Sequence, residues 1–163
     1  MKKEIYSIEL VNNIKDALIS KDETLAVAES VTSGHLQAAF SLADNATLFF
    51  QGGITAYHLA QKYRHLQIDP IYASKVNCVS ERIAAEMATG VCRLFSSGYG
   101  ISITGYASEI PEMNIYELYA FMAFAKEEKI LTSQRITTNK KTMLEAQLDY
   151  TDQVLKIIAH YLG

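Results

Sequence analysis

The sequence predicts an α/β fold, a three-layer α/β/α sandwich around a mixed sheet. Short apolar runs typical of buried strands alternate with segments whose apolar residues recur every three or four positions, as on one face of a helix. Near the carboxyl end, two β-favouring segments are separated only by the charged stretch KEEK, which predicts an antiparallel hairpin. A sheet with both parallel and antiparallel neighbours follows from these two patterns.

The first half of the chain alternates helices and strands. Apolar residues at helical spacing predict a packing helix over Ile8–Leu18. The run TLAVA predicts a buried strand, and a second helix follows over Ser33–Ala43. Residues 49–57 predict another strand, whose two glycines suggest a bulge or a close backbone approach, before a short helix over 58–66. Together these segments predict β-turn-α units.

The second half supplies the remaining layers. A helix is predicted over Ser80–Phe95, with Ser80 as its N-cap, and a strand follows over 99–105. The predicted hairpin joins the apolar strand 115–125 to the strand 130–137. The last helix, Lys140–Leu162, carries one apolar stripe, as expected of a helix that covers the sheet.

Composition limits the classes of function. One domain is expected over residues 1–163, since no linker, repeat or low-complexity tract divides the chain. A net charge of −3 argues against a polynucleotide or a membrane surface as partner. The chain has no apolar run long enough for a membrane span and no signal-peptide core, so a cytoplasmic protein is expected. The four histidines and two cysteines lack metal-ligand spacing, so no metal is expected.

The turn AESVTSG stands where a strand ends and a helix begins. Open α/β sheets usually bind ligands at such places. Free backbone N–H groups and the hydroxyls of Ser30, Thr32 and Ser33 favour an anion such as phosphate. The other interpretation is that Thr32 or Ser33 only caps the helix.

Two further segments carry polar groups suited to chemistry. Thr47, Tyr57 and Lys62 surround a glycine-rich strand, and a hydroxyl becomes a nucleophile if a lysine of lowered pKa acts as its base. Lys62 is otherwise a solvated helix lysine. After the strand that ends at Thr104 and Gly105, the glycine permits either close approach to a ligand or simply a turn.

Taken in order, AESVTSG, GGITAYHLAQK, VSERIAAEMA and ITG resemble the C-terminal domain of the competence- and damage-inducible CinA proteins. This domain also occurs as stand-alone nicotinamide mononucleotide deamidases, and the resemblance covers nearly the whole chain. It implies hydrolysis of nicotinamide mononucleotide to nicotinic acid mononucleotide and ammonia by a Ser-Lys pair, without metal or cofactor. The implied partner is a small-molecule nucleotide, and a homo-oligomer is expected.

The resemblance also implies roles for individual residues. Lys62 is the base, Thr47 stands at the position of the family's paired serine, and Tyr57 lies with them in the catalytic set. The substrate-binding residues implied are Ser30, Thr32, Ser33, Gly34, Gly53, Thr104, Gly105 and Lys140.

Several loop residues depart from the family pattern. Ser108 and Glu109 replace a Gly-Pro pair, and Tyr116 and Glu117 stand where small residues are usual. Thr47 adds a methyl group that restricts its side chain. Two main functions therefore stay open, an amidohydrolase and a catalytically impaired nucleotide-binding or regulatory protein. A related hydrolase with another amide substrate, or a subunit that only assembles, is the remaining alternative.

Overall fold

Five strands form one mixed sheet in the computed structural model, which describes residues 3–163. The strand order is β2-β1-β3-β4-β5. In chain order the elements are α1 (Ile8–Ile19), β1 (Leu25–Glu29), α2 (His35–Ser41), β2 (Phe50–Thr55), α3 (Leu59–Leu66), α4 (Pro70–Lys75), α5 (Glu81–Phe95), β3 (Tyr99–Gly105), β4 (Leu118–Lys126), β5 (Lys129–Thr138) and α6 (Met143–Leu162). Short helical turns lie at Ala46–Leu48 and Pro111–Met113.

The register of the sheet confirms the predicted mixture of directions. Strand β1 runs parallel to β2 and β3, whereas β3, β4 and β5 are antiparallel neighbours. Glu29, the last residue of β1, pairs with Ile103 near the end of β3. Ser30 and Thr104, the residues that come next, therefore lie at the same edge of the sheet.

Helices cover both faces of the sheet, so the predicted three layers are confirmed. Leu25 and Val27 of β1 pack into a core formed with α1, α2 and α6. The alternate residues Ala26 and Ala28 pack into a second core formed with α3, α4 and α5. This alternation is what a central strand buried on both faces requires.

Local sequence explains most helix boundaries. Ser80 caps α5 as predicted, since its side chain accepts from Ile83 N–H. The helix α4 was not predicted, because six residues are too few to show an apolar period. Its start is nevertheless marked by Asp69, which caps it, and by Pro70 in its first turn.

The predicted irregularity in β2 is present. Leu25 pairs with Phe50 whereas Ala26 pairs with Gly52, so one residue is bulged out of the ladder. Gly52 has a φ of 127°, a backbone conformation that glycine adopts without strain.

Within residues 3–163, no helix has both the length and the apolar character that a membrane crossing needs.

Candidate active site

A cleft of about 480 Å³ opens at the edge of the sheet where β1 and β3 end. Ser30 and Thr104 line it from those two strands, and Lys62 lines it from α3. Asn77 and Cys78, which follow α4, complete one wall. The volume is within the range of small-molecule sites, and the place is where open α/β sheets bind ligands.

Ser30 and Lys62 form a buried pair at this cleft. Lys62 Nζ lies 2.9 Å from Ser30 Oγ and also donates to the carbonyl oxygen of Tyr57 at 3.0 Å. Only 2% of Lys62 and 7% of Ser30 are exposed. Burial lowers the pKa of Lys62 below its ordinary value, because a charged ammonium is poorly solvated there. This pair joins a hydroxyl to an amine that readily becomes neutral.

Helix α3 explains why a lysine reaches this position. His58 caps the helix by accepting from Ala60 N–H, and Lys62 follows in the first turn. Lys62 and Leu66 are four residues apart and are the two buried positions of the helix. They therefore share the face turned to the sheet. The solvated-lysine interpretation is wrong for Lys62.

Cys78 stands beside the lysine. Burial raises the pKa of its thiol, and the nearby positive charge of Lys62 acts in the opposite direction. Thr104 Oγ1 donates to the carbonyl oxygen of Cys78 at 2.7 Å, so Thr104 holds this wall in place while lining the cleft. The sequence does not predict residues 77 and 78 as part of the site, since no spacing rule connects them to Lys62.

The expected pairing of Lys62 with Thr47 is not formed within the chain. Thr47 is exposed in the turn Ala46–Leu48, directly before β2. The first residue of β2 pairs with Leu25 at the amino end of β1, whereas Ser30 follows the carboxyl end. The length of β1, about 16 Å at 3.3 Å per residue, separates these two ends of the sheet. The prediction that Thr47 pairs with Lys62 is therefore corrected: Ser30 carries the hydroxyl.

The turn after Ser30 is closed by a carboxylate of the protein itself. Glu29 is fully buried and accepts from the backbone N–H groups of Leu36 and Gln37 at 2.8 and 2.9 Å. The Thr32 hydroxyl and the Gln37 side-chain amide also donate to it. The amino end of α2 therefore already holds an anionic group, at the place where a phosphate was predicted.

Three residues of this turn consequently lie apart from the cleft. Thr32 is buried against Glu29, Ser33 is exposed, and Gly34 has a φ of 105° at the start of α2. Among the residues predicted to bind phosphate at this turn, only Ser30 lines the cleft. The prediction that Thr32, Ser33 and Gly34 bind substrate is corrected, because the helix end is satisfied internally.

The two predicted glycines differ in role. A Cβ on Gly53 would lie 2.6 Å from Gln37 Cγ and 2.7 Å from the Val27 carbonyl oxygen, so Gly53 serves packing and not a ligand. Gly105 lines the cleft, and a Cβ there would meet Ala120 at 2.4 Å. Gly105 thus combines tight sheet packing with a place at the site.

Lys140 borders an adjacent cleft of about 430 Å³. The two clefts share Ala107, Ser108 and Met143, so a ligand that extends from Ser30 toward this loop would approach Lys140.

Tyr57 lines the first cleft and is 63% exposed at its mouth. In the described range 3–163, His, Cys, Asp and Glu side chains form no group of three or more suited to a metal ion.

The position of Ser30 in this cleft had a signal in the sequence. A serine directly after a buried strand and directly before a helix is presented at the edge of the sheet, as nucleophiles of α/β hydrolases are. The same position also suits an anion-binding turn, which is the interpretation favoured from the sequence. The contact between Ser30 and Lys62 distinguishes these two interpretations of the turn, and it forms only in the folded chain.

Comparisons with known proteins agree with this architecture. The sequence profile described as the CinA C-terminal domain matches residues 7–162. A CinA-like protein of Picosynechococcus sp. is 42% identical over 94 residues, which are 58% of this chain and 22% of that protein. One of Prochlorococcus marinus is 38% identical over 100 residues, 61% of this chain and 24% of that protein. The matched part thus spans about a quarter of these relatives' length.

Solved structures extend the similarity to the whole fold. A CinA superfamily protein of Klebsiella pneumoniae superposes with a TM-score of 0.89 at 24% identity, covering 98% of both chains. One of Enterobacter cloacae reaches 0.90 at 23% identity, covering 100% of this chain and 96% of that one. At this identity the likeness establishes the fold alone.

Proposed function

The chain belongs to the CinA C-terminal domain family, and from this premise we propose that it is a serine amidohydrolase with Ser30 as nucleophile and Lys62 as base. The proposed substrate is nicotinamide mononucleotide, which would yield nicotinic acid mononucleotide and ammonia. The observation that carries the proposal is the buried contact of 2.9 Å between Ser30 Oγ and Lys62 Nζ. The substrate follows from the family resemblance.

The first step needs a neutral lysine. Because burial lowers the pKa of Lys62, its amine takes the proton of the Ser30 hydroxyl more readily than a solvated lysine would. The Ser30 oxygen then forms a bond to the carboxamide carbon, and the C=O electron pair moves to the carbonyl oxygen. Lys62 returns its proton to the amide nitrogen, the C–N bond breaks, and ammonia leaves.

The second half of the reaction releases the acid. Lys62 takes a proton from water, the hydroxide adds to the ester carbon on Ser30, and collapse of the adduct breaks the C–O bond to Ser30. The proton on Lys62 returns to Ser30 Oγ. Tyr57 supports both halves, because its carbonyl oxygen holds Lys62 Nζ beside the nucleophile.

The developing oxyanion requires donors that are already in place. Val31 directly follows the nucleophile and lines the cleft. Its backbone N–H has no hydrogen-bond partner within residues 3–163, whereas the neighbouring Ser30 N–H donates to the Ile103 carbonyl oxygen. In the proposed mechanism, Val31 N–H donates to the oxyanion.

The adjacent cleft contributes less to the proposal. Lys140 and Lys141 line it, but Glu109 and Glu117 line it as well. Lysine neutralises a phosphate as a point charge, without the bidentate geometry of arginine. With two carboxylates nearby, the attraction for a phosphate is small, so the dyad and not this cleft supports the proposed function.

The test is ammonia release from nicotinamide mononucleotide by the purified chain. Ser30→Ala and Lys62→Ala are expected to lower kcat by at least about 1,000-fold, since nucleophile and base act as one unit. Thr47→Ala is the matched control, because it removes a hydroxyl from the same chain outside the cleft, and it is expected to keep full activity.

Two results would overturn the proposal. Turnover that survives Ser30→Ala but disappears in Thr47→Ala would restore Thr47 as the nucleophile. Binding of the nucleotide without ammonia release, in a correctly folded chain, would instead favour the alternative of a nucleotide-binding or regulatory protein.

A further inference from the structure

Asn77 occupies a strained turn in the wall of the cleft. Asn77 and Cys78 both have left-handed backbone conformations, with φ values of 51° and 59°. Asparagine tolerates this conformation, whereas cysteine adopts it rarely. The turn is held by Cys78 N–H, which donates to the Ala73 carbonyl oxygen at 2.8 Å, and by the hydroxyl of Thr104. These contacts hold this wall of the cleft in one conformation.

The side-chain amide of Asn77 has a defined orientation. Its Nδ2 donates to Tyr106 Oη at 3.3 Å and to Met113 Sδ at 3.6 Å. These two contacts account for both amide hydrogens. The carbonyl oxygen Oδ1 has no hydrogen-bond partner in the described part of the chain, and Asn77 lines the same cleft as Ser30 from an exposed position at its rim. In this orientation the residue offers Oδ1 to the cleft as a hydrogen-bond acceptor.

Two carbonyl oxygens of the same cleft already accept a hydrogen bond within the protein, unlike Asn77 Oδ1. The Tyr57 carbonyl oxygen already accepts from Lys62, and the Cys78 carbonyl oxygen accepts from Thr104. Lys62 itself is the donor in both of its contacts. A primary carboxamide brings two N–H groups into this site, and each buried N–H needs an acceptor.

We propose that Asn77 Oδ1 accepts a hydrogen bond from the amino group of the substrate carboxamide, and that this contact makes the site selective for a primary amide over the corresponding acid. The inference rests on the proposed function and specifies the chemical class that the site recognises. A carboxylate product has no N–H to donate and places a negative oxygen against Oδ1. The same contact therefore favours release of the product.

The test compares two ligands that differ only in this group. Nicotinamide mononucleotide and nicotinic acid mononucleotide are titrated calorimetrically into the Ser30→Ala chain, which prevents turnover. Asn77→Gly is introduced into that background, since glycine keeps the left-handed turn. We expect the ratio of amide affinity to acid affinity to fall by about tenfold, because a hydrogen bond is lost and a repulsion is relieved.

Two further variants distinguish recognition of the amide group by Asn77 from a purely structural role of Asn77 in the turn. Asn77→Asp keeps an acceptor and is expected to keep the preference for the amide. Tyr106→Phe removes only the hydroxyl that orients Asn77, and it is expected to lower the ratio less than Asn77→Gly does. An equal loss of both affinities in Asn77→Gly would show a purely structural role and overturn the proposal, as would an unchanged ratio or no binding of either nucleotide.

The outcome is separable from the proposed function. If the affinity ratio changes as expected but the unaltered chain releases no ammonia, recognition by Asn77 stands and the hydrolase fails. If ammonia is released and Asn77→Gly leaves the ratio unchanged, the hydrolase stands and this inference fails.

Discussion

Ser30 Oγ and Lys62 Nζ meet at 2.9 Å although 32 residues separate them in the chain. Parallel pairing of β1 with β2 makes the contact, because Thr55 at the end of β2 lies beside Glu29 at the end of β1. Helix α3 follows at the same edge of the sheet and carries Lys62 back toward Ser30. The site therefore depends on the register of the sheet and on the packing of the short helix α3 against it.

Replacing Lys62 by methionine is expected to abolish activity and to stabilise the fold. Methionine of similar length avoids the desolvation cost of a buried ammonium, and this gain is set against the two hydrogen bonds that Lys62 donates to Ser30 and Tyr57. We expect a net rise in the free energy of unfolding of about 1 kcal/mol and in Tm of about 2–4 °C. Thermal unfolding measures the change. The exposed Lys75→Met provides the control, and a lower Tm in Lys62→Met would show that the lysine is needed structurally.

Activity is expected to rise with pH through the lowered pKa of Lys62 and then level off, since the neutral amine is the base. The lowered pKa of Lys62 also makes the free energy of unfolding depend on pH. Between the lowered pKa and the ordinary value of 10.5, the unfolded chain binds more protons than the folded one, so the free energy of unfolding rises with pH.

Profiles of kcat/KM and of urea unfolding against pH measure both effects. Lys62→Met should lack this part of the stability profile. An activity that falls as pH rises over the same range would contradict a neutral lysine base.

Glu29→Gln is expected to destabilise the chain by about 2–3 kcal/mol. The carboxylate accepts two backbone N–H groups and two side-chain donors, whereas an amide turns one NH₂ group toward donors. Because Ser30 is the next residue, kcat should fall as well. Urea unfolding measures the loss. Glu109→Gln, at an exposed loop position, serves as control, and equal stability of the two variants would contradict this role of Glu29.

Gly53→Ala is expected to lower the free energy of unfolding by about 1–3 kcal/mol through overpacking. The added methyl group would contact Gln37 and the carbonyl oxygen of Val27, and the latter belongs to the backbone of the central strand. Thermal unfolding measures the effect. A variant with unchanged Tm but weaker nucleotide binding would restore Gly53 as a ligand-binding residue.

The fold was largely predictable because its signals are local. The apolar period of α5, the run in β1 and the hairpin of β4 and β5 each lie within a short window of sequence. The ordered motifs also carried the resemblance to the family, and the profile match confirms it. The same resemblance predicts Lys62 as a residue of the site. Only α4 was too short for any period to be seen.

The roles of residues around the cleft were decided by tertiary structure. Spacing along the chain favoured Thr47 as the partner of Lys62, but the sheet places Thr47 at the opposite end of β1 and Ser30 beside the amine. The turn was predicted to hold a phosphate, yet Glu29 folds back onto it.

The amino-acid pattern alone is enough for the family, for the five strands and for every described α-helix except α4. The hydroxyl that contacts Lys62 and the hydrogen-bond donors that Glu29 accepts from follow only from the folded chain. Helix and strand periods are properties of neighbouring residues and can be read locally. Contacts between distant side chains depend on strand register and helix packing, which arise only when the whole chain is folded.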